Sequence, residues 1–247
     1  MNPWIRETQA ATAQTSAVDA GLRSYMLRIY NYMTSGILLT GVIAYFAGTS
    51  DAFKQMLIQV DGSGAAHLSP IAYVITLAPL AMVFFMMFKL RTMSTSALQT
   101  TFWVYAGLMG LSMFSIFWAY TGVSILRVFF ITAATFGSLS LYGYTTKRDL
   151  TSWGSFLMVG MWAVFLTTIV NMFLHSSGLQ LMLSYVGVAL ALGLTAYDTQ
   201  KMKDIYYSAG MGGEDALKRA SIMGALNLYM DFIYLFMNLL RILGDRR

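Results

Sequence analysis

Cysteine is absent from these 247 residues, which excludes disulfides, thiolate metal sites and thiol nucleophiles. Charge is nearly as scarce. Lys, Arg, Asp and Glu make up 11% of the chain, against about a quarter in a soluble domain, so an ordinary globular fold is excluded. His67 and His175 are the two histidines, and both fall in segments that read as loops. No HExxH, GxSxG or GxxxxGK[ST] sequence occurs, so metalloprotease, serine-hydrolase and P-loop chemistry lack their residues. On this reading the protein is not an enzyme and holds no tightly bound cofactor. The net charge of +5 comes without a basic patch or nucleic-acid-binding motif, so nucleic acid is not an expected partner. In an apolar chain, excess Lys and Arg set topology.

What the sequence has in abundance is apolar length: 57% of residues are hydrophobic and the mean hydropathy is +0.60. Continuous apolar runs at about 29–47, 70–88, 102–120, 127–145, 153–174, 179–197 and 222–240 each suffice to cross the roughly 30 Å hydrocarbon core as a helix. Barrel strands would instead alternate over roughly ten residues. The expected fold is therefore an all-α integral membrane protein of seven transmembrane helices, a single domain over residues 25–247. Residues 1–24 are polar and lack the apolar core and cleavage site of a signal peptide. They read as a retained, mobile cytoplasmic tail.

Orientation follows from counting Lys and Arg on alternate sides. The side of the N-terminus holds Arg6, Arg23, Arg28, Lys89, Arg91, Lys147, Arg148, Lys201, Lys203, Lys218 and Arg219; the other holds Lys54, Arg127, Arg241, Arg246 and Arg247. The excess predicts a cytoplasmic N-terminus, with the 89–101, 146–152 and 198–221 loops inside. Arg241, Arg246 and Arg247 oppose that bias, which leaves two readings of the last helix: a full crossing, or a re-entrant path back to the cytoplasm. Small residues at Gly107, Gly110, Gly187 and Ala191 mark close helix approaches, and Pro79 interrupts the hydrogen-bonding of the second span.

The last apolar stretch, Ile222 to Gly244, departs from the others. Asn227, Asp231, Tyr234, Asn238 and Arg241 recur at helical spacing and form one polar stripe. A charged group at mid-membrane costs at least about 2.5 kcal/mol, so this stripe faces other helices or a wet cavity, and the helix sits inside the bundle. Asp198 closes the sixth span on a stripe with Gly187, Ala191 and Leu194. Only Asp198 and Asp231 among the eleven acidic residues belong to predicted membrane helices, Asp198 at the very end of its span. If they meet, both cannot ionise cheaply, and the pair titrates as a unit. Deprotonated, it offers the hard oxygen ligands that Ca²⁺ accepts. An intramembrane aspartyl protease would also use two membrane aspartates, but Asp231 follows Tyr229-Met230 rather than a Gly-x-Gly sequence.

The segment LNLYMDFIYLFMNLLRILG (Leu226 to Gly244) resembles the C-terminal signature of the transmembrane Bax inhibitor motif family, the Bax inhibitor-1-like proteins. Tyr25 to Phe46, Ile131 to Leu150 and Gly193 to Lys203 support the resemblance in the family's order, closest to its bacterial members. It implies a seven-helix fold with the last helix surrounded by the other six, and a calcium leak of the inner membrane gated by a pH-sensing aspartate pair. That pair falls on Asp198 in AYDTQK and Asp231 in LYMDFI, which are then also the expected Ca²⁺ contacts. A basic latch at the cytoplasmic end of the second helix falls on Arg91 or Lys89, with Arg91 preferred for its bidentate geometry. Calcium and protons are the implied permeant or sensed species. The rival readings are a scaffold that regulates proteolysis or stress responses through membrane-protein partners, and a proton-coupled transporter of another solute.

Overall fold

Hydroxyl side chains open five of the helices. Ser50, Ser69, Ser94, Thr121 and Ser176 each accept from a backbone N–H three residues on, satisfying one of the donors that a helix start leaves unpaired. The computed structural model describes residues 3–60, 62, 66–89 and 92–247, with side chains described from residue 19 onward except at 60, 66, 87 and 211. Its elements are α1 (Pro3–Thr49), α2 (Asp51–Leu57), β1 (Ile58–Val60), β2 (Ala66–Leu68), α3 (Pro70–Lys89), α4 (Thr95–Ser112), α5 (Ile116–Ala119), α6 (Gly122–Thr145), α7 (Thr151–Leu174), α8 (Ser177–Ala209) and α9 (Gly213–Leu243). Of the described residues, 89% are helical.

Among the described residues, six helices are long and apolar enough to cross a membrane: α1 from Asp19, α4 continued through α5, α6, α7, α8 and α9. The expected second span is helical and apolar as α3, but its apolar segment Pro70–Met86 is shorter. The helix continues through Pro79. Residues 3–24, expected as a tail, are helical and continuous with the first span.

Two loop expectations are corrected. His67 lies in β2, paired with Gln59 of β1 in a short antiparallel hairpin. The expected 198–221 loop is nearly all helix: α8 runs to Ala209, a single 3-10 turn covers Gly210–Gly212, and α9 starts at Gly213. Gly213 has φ +84°, a left-handed conformation that glycine adopts without a Cβ clash. Hydropathy marks only the apolar length of a helix, whereas backbone hydrogen bonding carries both helices on through polar residues.

The most buried span is α9, as its polar stripe predicts. It packs chiefly against α1, α4, α6 and α8, while α3 packs on α4 and α7 packs on α8. The last helix is thus central, but most of its contacts come from four neighbours rather than from six. Close approach depends on small residues. A Cβ on Gly110 of α4 would stand 2.7 Å from the Thr40 carbonyl oxygen of α1. One on Gly187 of α8 would stand 2.8 Å from Asn238 Oδ1 and 2.9 Å from Tyr234 Oη of α9.

α9 is uninterrupted from Gly213 to Leu243, about 46 Å at the standard rise. Its far end is fastened beside the start of α6. Thr121 N donates to the Asp245 carbonyl and Arg247 N to that of Ala119, both at 3.1 Å, and Asp245 N donates to Ser124 Oγ at 2.8 Å. Arg127 pairs with Asp245 at 2.8 Å. The helix therefore does not turn back, which removes the re-entrant reading.

Candidate functional site

Asp231 is buried in α9, one turn beyond Asn227. Asp198 lies inside α8, with eleven further helical residues after it, rather than at a helix end. The α8–α9 interface brings the two carboxyl groups within interaction range of each other. Lys201, one turn along α8, is a cation acting on Asp198, and its Nζ lies 5.7 Å from the Tyr197 ring centre. Asp231 Oδ2 is buried and has no hydrogen-bond partner within the protein. Tyr234 Oη is in the same condition. Buried polar atoms of this kind are ordinarily satisfied by water or by a bound ion.

Room for either exists beside them. A cavity of about 550 Å³ is lined by Asp231, Tyr234, Asn238 and Arg241 of α9, and by Thr76 of α3, Tyr105 and Met109 of α4, Met161 of α7 and Leu194 of α8. Four of the five stripe residues thus share one wall, as a wet-cavity reading requires. Asn227 is half-buried and lies outside that cavity. Arg241, exposed in the last turn of α9, stands at the cavity's outer end. Asn238 Nδ2 donates to the Tyr234 carbonyl at 2.8 Å, which fixes its rotamer along the wall.

The two latch candidates fare differently. Lys89 is exposed at the end of α3 and makes no ion pair among the described residues. Arg91 lies outside the described residues. A cation that does tie helices together here is Arg219 of α9, whose guanidinium donates to the Met93 carbonyl in the α3–α4 connection. With respect to metals, no group of three or more His, Asp or Glu side chains gathers among the described residues. The aspartate pair alone supplies two carboxylates, about four oxygens at most, fewer than the roughly six to eight of a closed Ca²⁺ site. That donor set suits transient contact with a partly hydrated ion better than a tight resident site.

Two buried polar chains escaped the sequence reading. Tyr229 Oη is 2.6 Å from Thr40 Oγ1, which donates to the Ala106 carbonyl at 2.8 Å, so α9, α1 and α4 are joined two residues from Asp231. Tyr30 Oη is 2.5 Å from Ser140 Oγ, itself 2.9 Å from Thr199 Oγ1, joining α1, α6 and α8 beside Asp198. The available signal was weak: a Tyr, Ser or Thr inside an apolar run. A hydroxyl is cheap in a lone helix because it bonds its own backbone, as Thr132, Thr195 and Thr199 also do, so its presence does not announce a cross-helix partner.

The comparisons with known proteins agree with this architecture. The sequence profile described as "Inhibitor of apoptosis-promoting Bax1" matches residues 22–247. Protein RP147 of Rickettsia prowazekii is 42% identical, covering 98% of each chain. A protein of Caulobacter vibrioides is 40% identical over 99% of this chain and 97% of its own. Inner membrane protein YbhL of Escherichia coli is 41% identical over 92% of this chain and 94% of its own. With membrane-spanning helices, an internal polar stripe and a profile match across nearly the whole length, the chain belongs to the Bax inhibitor-1-like family of membrane proteins.

Proposed function

We propose that this protein is a non-enzymatic, pH-sensitive calcium leak channel of the bacterial inner membrane, gated by protonation of Asp198 and Asp231. The observation that carries the reading is the carboxyl pair in the α8–α9 interface, one oxygen of which has no protein partner and stands beside a cavity lined by the rest of the stripe. A shared proton lets two such groups coexist in low dielectric; its loss leaves repelling charges that either take up a cation or part the helices. Calcium is the permeant species in this scheme, contacting Asp231 and Asp198 in passage and drawing its other oxygens from water and from Tyr234 and Asn238.

The same proposal makes α3 the seventh span and the N-terminus cytoplasmic. Supporting α3 is its row of exposed apolar side chains, including Val74, Leu77, Phe84 and Phe88, which lipid accepts and water does not. The latch role of Lys89 or Arg91 requires α3 to move toward α8 in the closed state. The absence of cysteine makes orientation simple to test, since thiols introduced singly at Lys89 and Gly178 label from opposite sides of the membrane.

Calcium flux into proteoliposomes across about pH 5 to 8, a range that brackets physiological proton switches, tests the central proposal. Wild type should conduct with a pH dependence that Asp198→Asn and Asp231→Asn each flatten. Flux equal to that of empty liposomes at every pH would sink it, and a regulatory scaffold would then be the better reading.

A further inference from the structure

A second site faces the lipid instead of the helix-bundle interior. α1 and α6 both pack on α9 and are joined by the Tyr30 Oη–Ser140 Oγ hydrogen bond. Between them lies a cleft of about 670 Å³ whose floor includes Phe232 of α9 and whose walls include Phe129, Ala133 and Gly137 of α6. A second cleft of about 470 Å³ continues it along α1 and shares Ile37, Leu38, Phe129 and Phe232 with it. Each volume is within the roughly 300–1,000 Å³ usual for small-molecule sites. The space is held open where side chains could have filled it: a Cβ added at Gly137, or at Gly41 in the continuation, would meet nothing within 4 Å. At Gly110, Gly143 and Gly187, where helices pack closely, a Cβ would instead clash.

The cleft is not apolar at both ends. Its lining begins at Arg23 of α1, the single charged residue on its walls. Beside its Tyr144 end stands Lys203, held there by a 2.6 Å hydrogen bond from Nζ to the Tyr144 carbonyl and by Nζ lying 5.3 Å from the ring centre. An ammonium has three donors, and the Tyr144 carbonyl takes one of them. From Arg23 to Leu38 the wall of α1 rises about 22 Å. One leaflet's hydrocarbon is about 15 Å deep. The dimensions and charges therefore match a single lipid: a headgroup at the basic end and an acyl chain directed toward the bilayer midplane.

We propose that the α1–α6 cleft is a binding site for an anionic phospholipid, whose phosphate is held by Arg23 and Lys203 and whose acyl chain lies over Phe232 against Gly137. Because Phe232 directly follows Asp231, the bound chain packs on the residue adjoining the carboxyl pair. The site stands independently of the leak reading, since binding requires no conduction.

Native mass spectrometry of the full chain in mild detergent, titrated with palmitoyl-oleoyl phosphatidylglycerol or the matching phosphatidylcholine, tests it. Wild type should retain phosphatidylglycerol in preference to phosphatidylcholine, and Arg23→Gln and Lys203→Gln should each weaken retention about fivefold, the effect of one basic residue near an anionic lipid. Gly137→Phe should abolish retention by filling the cleft. Gly178→Phe, at an equally open glycine away from the cleft, should not. Should Gly137→Phe fail to elute as a folded species, Ala133→Leu fills the same space more gently. Equal retention of the two lipids by wild type, or undiminished phosphatidylglycerol binding by Arg23→Gln or by a folded cleft-filling variant, overturns the proposal.

Discussion

α7 and α9 are both membrane helices, and they invert the rule of soluble proteins. α7 has a mean hydropathy of 2.0 and only 6% of its membrane window is buried; α9 has 1.4 and 67% is buried. The more apolar helix is on the outside. Water drives apolar surface inward, but lipid tails are as apolar as leucine and exert no such drive. What lipid does reject is polarity, so the helix carrying Asp231, Tyr234 and Asn238 occupies the centre. α7 meets the lipid with Trp162, Phe165 and Val170 exposed.

The contrast can be broken most severely from the outside. Val159→Arg places a charge on the exposed face of α7 and should cost about 3 kcal/mol of membrane insertion, read as a loss of inserted protein in a translocon assay. A lysine at the already polar Asn238 position should cost less. Next in size is Gly187→Leu at the α8–α9 contact, where the added atoms overlap Asn238 and Tyr234. Overpacking there should cost about 2–3 kcal/mol, seen as a lowered thermal midpoint in detergent, while Val159→Leu on α7 should leave that midpoint unchanged.

Smaller effects sharpen the comparison. Tyr229→Phe removes the hydroxyl bonded to Thr40 and should cost about 1 kcal/mol. Combined with Thr40→Val, it should give a coupling of about 0.6 kcal/mol, the average for hydrogen bonds between membrane helices. The smallest effect belongs to the exposed start of α7. Asp149 accepts from Thr151 N at 2.8 Å, and hydrogen bonds from Thr151 hold its carboxyl below the usual carboxylate range. A depressed pKa stabilises the fold above the ordinary carboxylate pKa, and that contribution is lost as pH falls through the lowered value. Asp149→Asn should therefore lower the thermal midpoint slightly at neutral pH, and the difference from wild type should vanish in acid.

The stripe on α9 was legible because burying polarity in lipid is costly: five polar residues at helical spacing leave few arrangements, and four of them do line one cavity. The partner of Asp231 was legible for the same reason, since Asp198, at the end of its predicted span, is the other acidic residue of the predicted membrane helices. The extent of α8 and α9 beyond the lipid was not. Glu214, Asp215, Lys218 and Arg219 lower the hydropathy without weakening the helix, and the Glu214–Lys218 pair at 2.9 Å even supports it.

By itself, then, the sequence determined the class of fold and which helix is innermost, because each depends on the affinity of side chains for hydrocarbon or water. Only the tertiary structure decided which helices touch. That α3 leans on α4, that Tyr229 meets Thr40, and that α1 and α6 leave a cleft over Phe232 depend on shape complementarity among apolar surfaces. A leucine facing lipid and a leucine facing a neighbouring helix are the same residue in nearly the same dielectric, so only the packing distinguishes them.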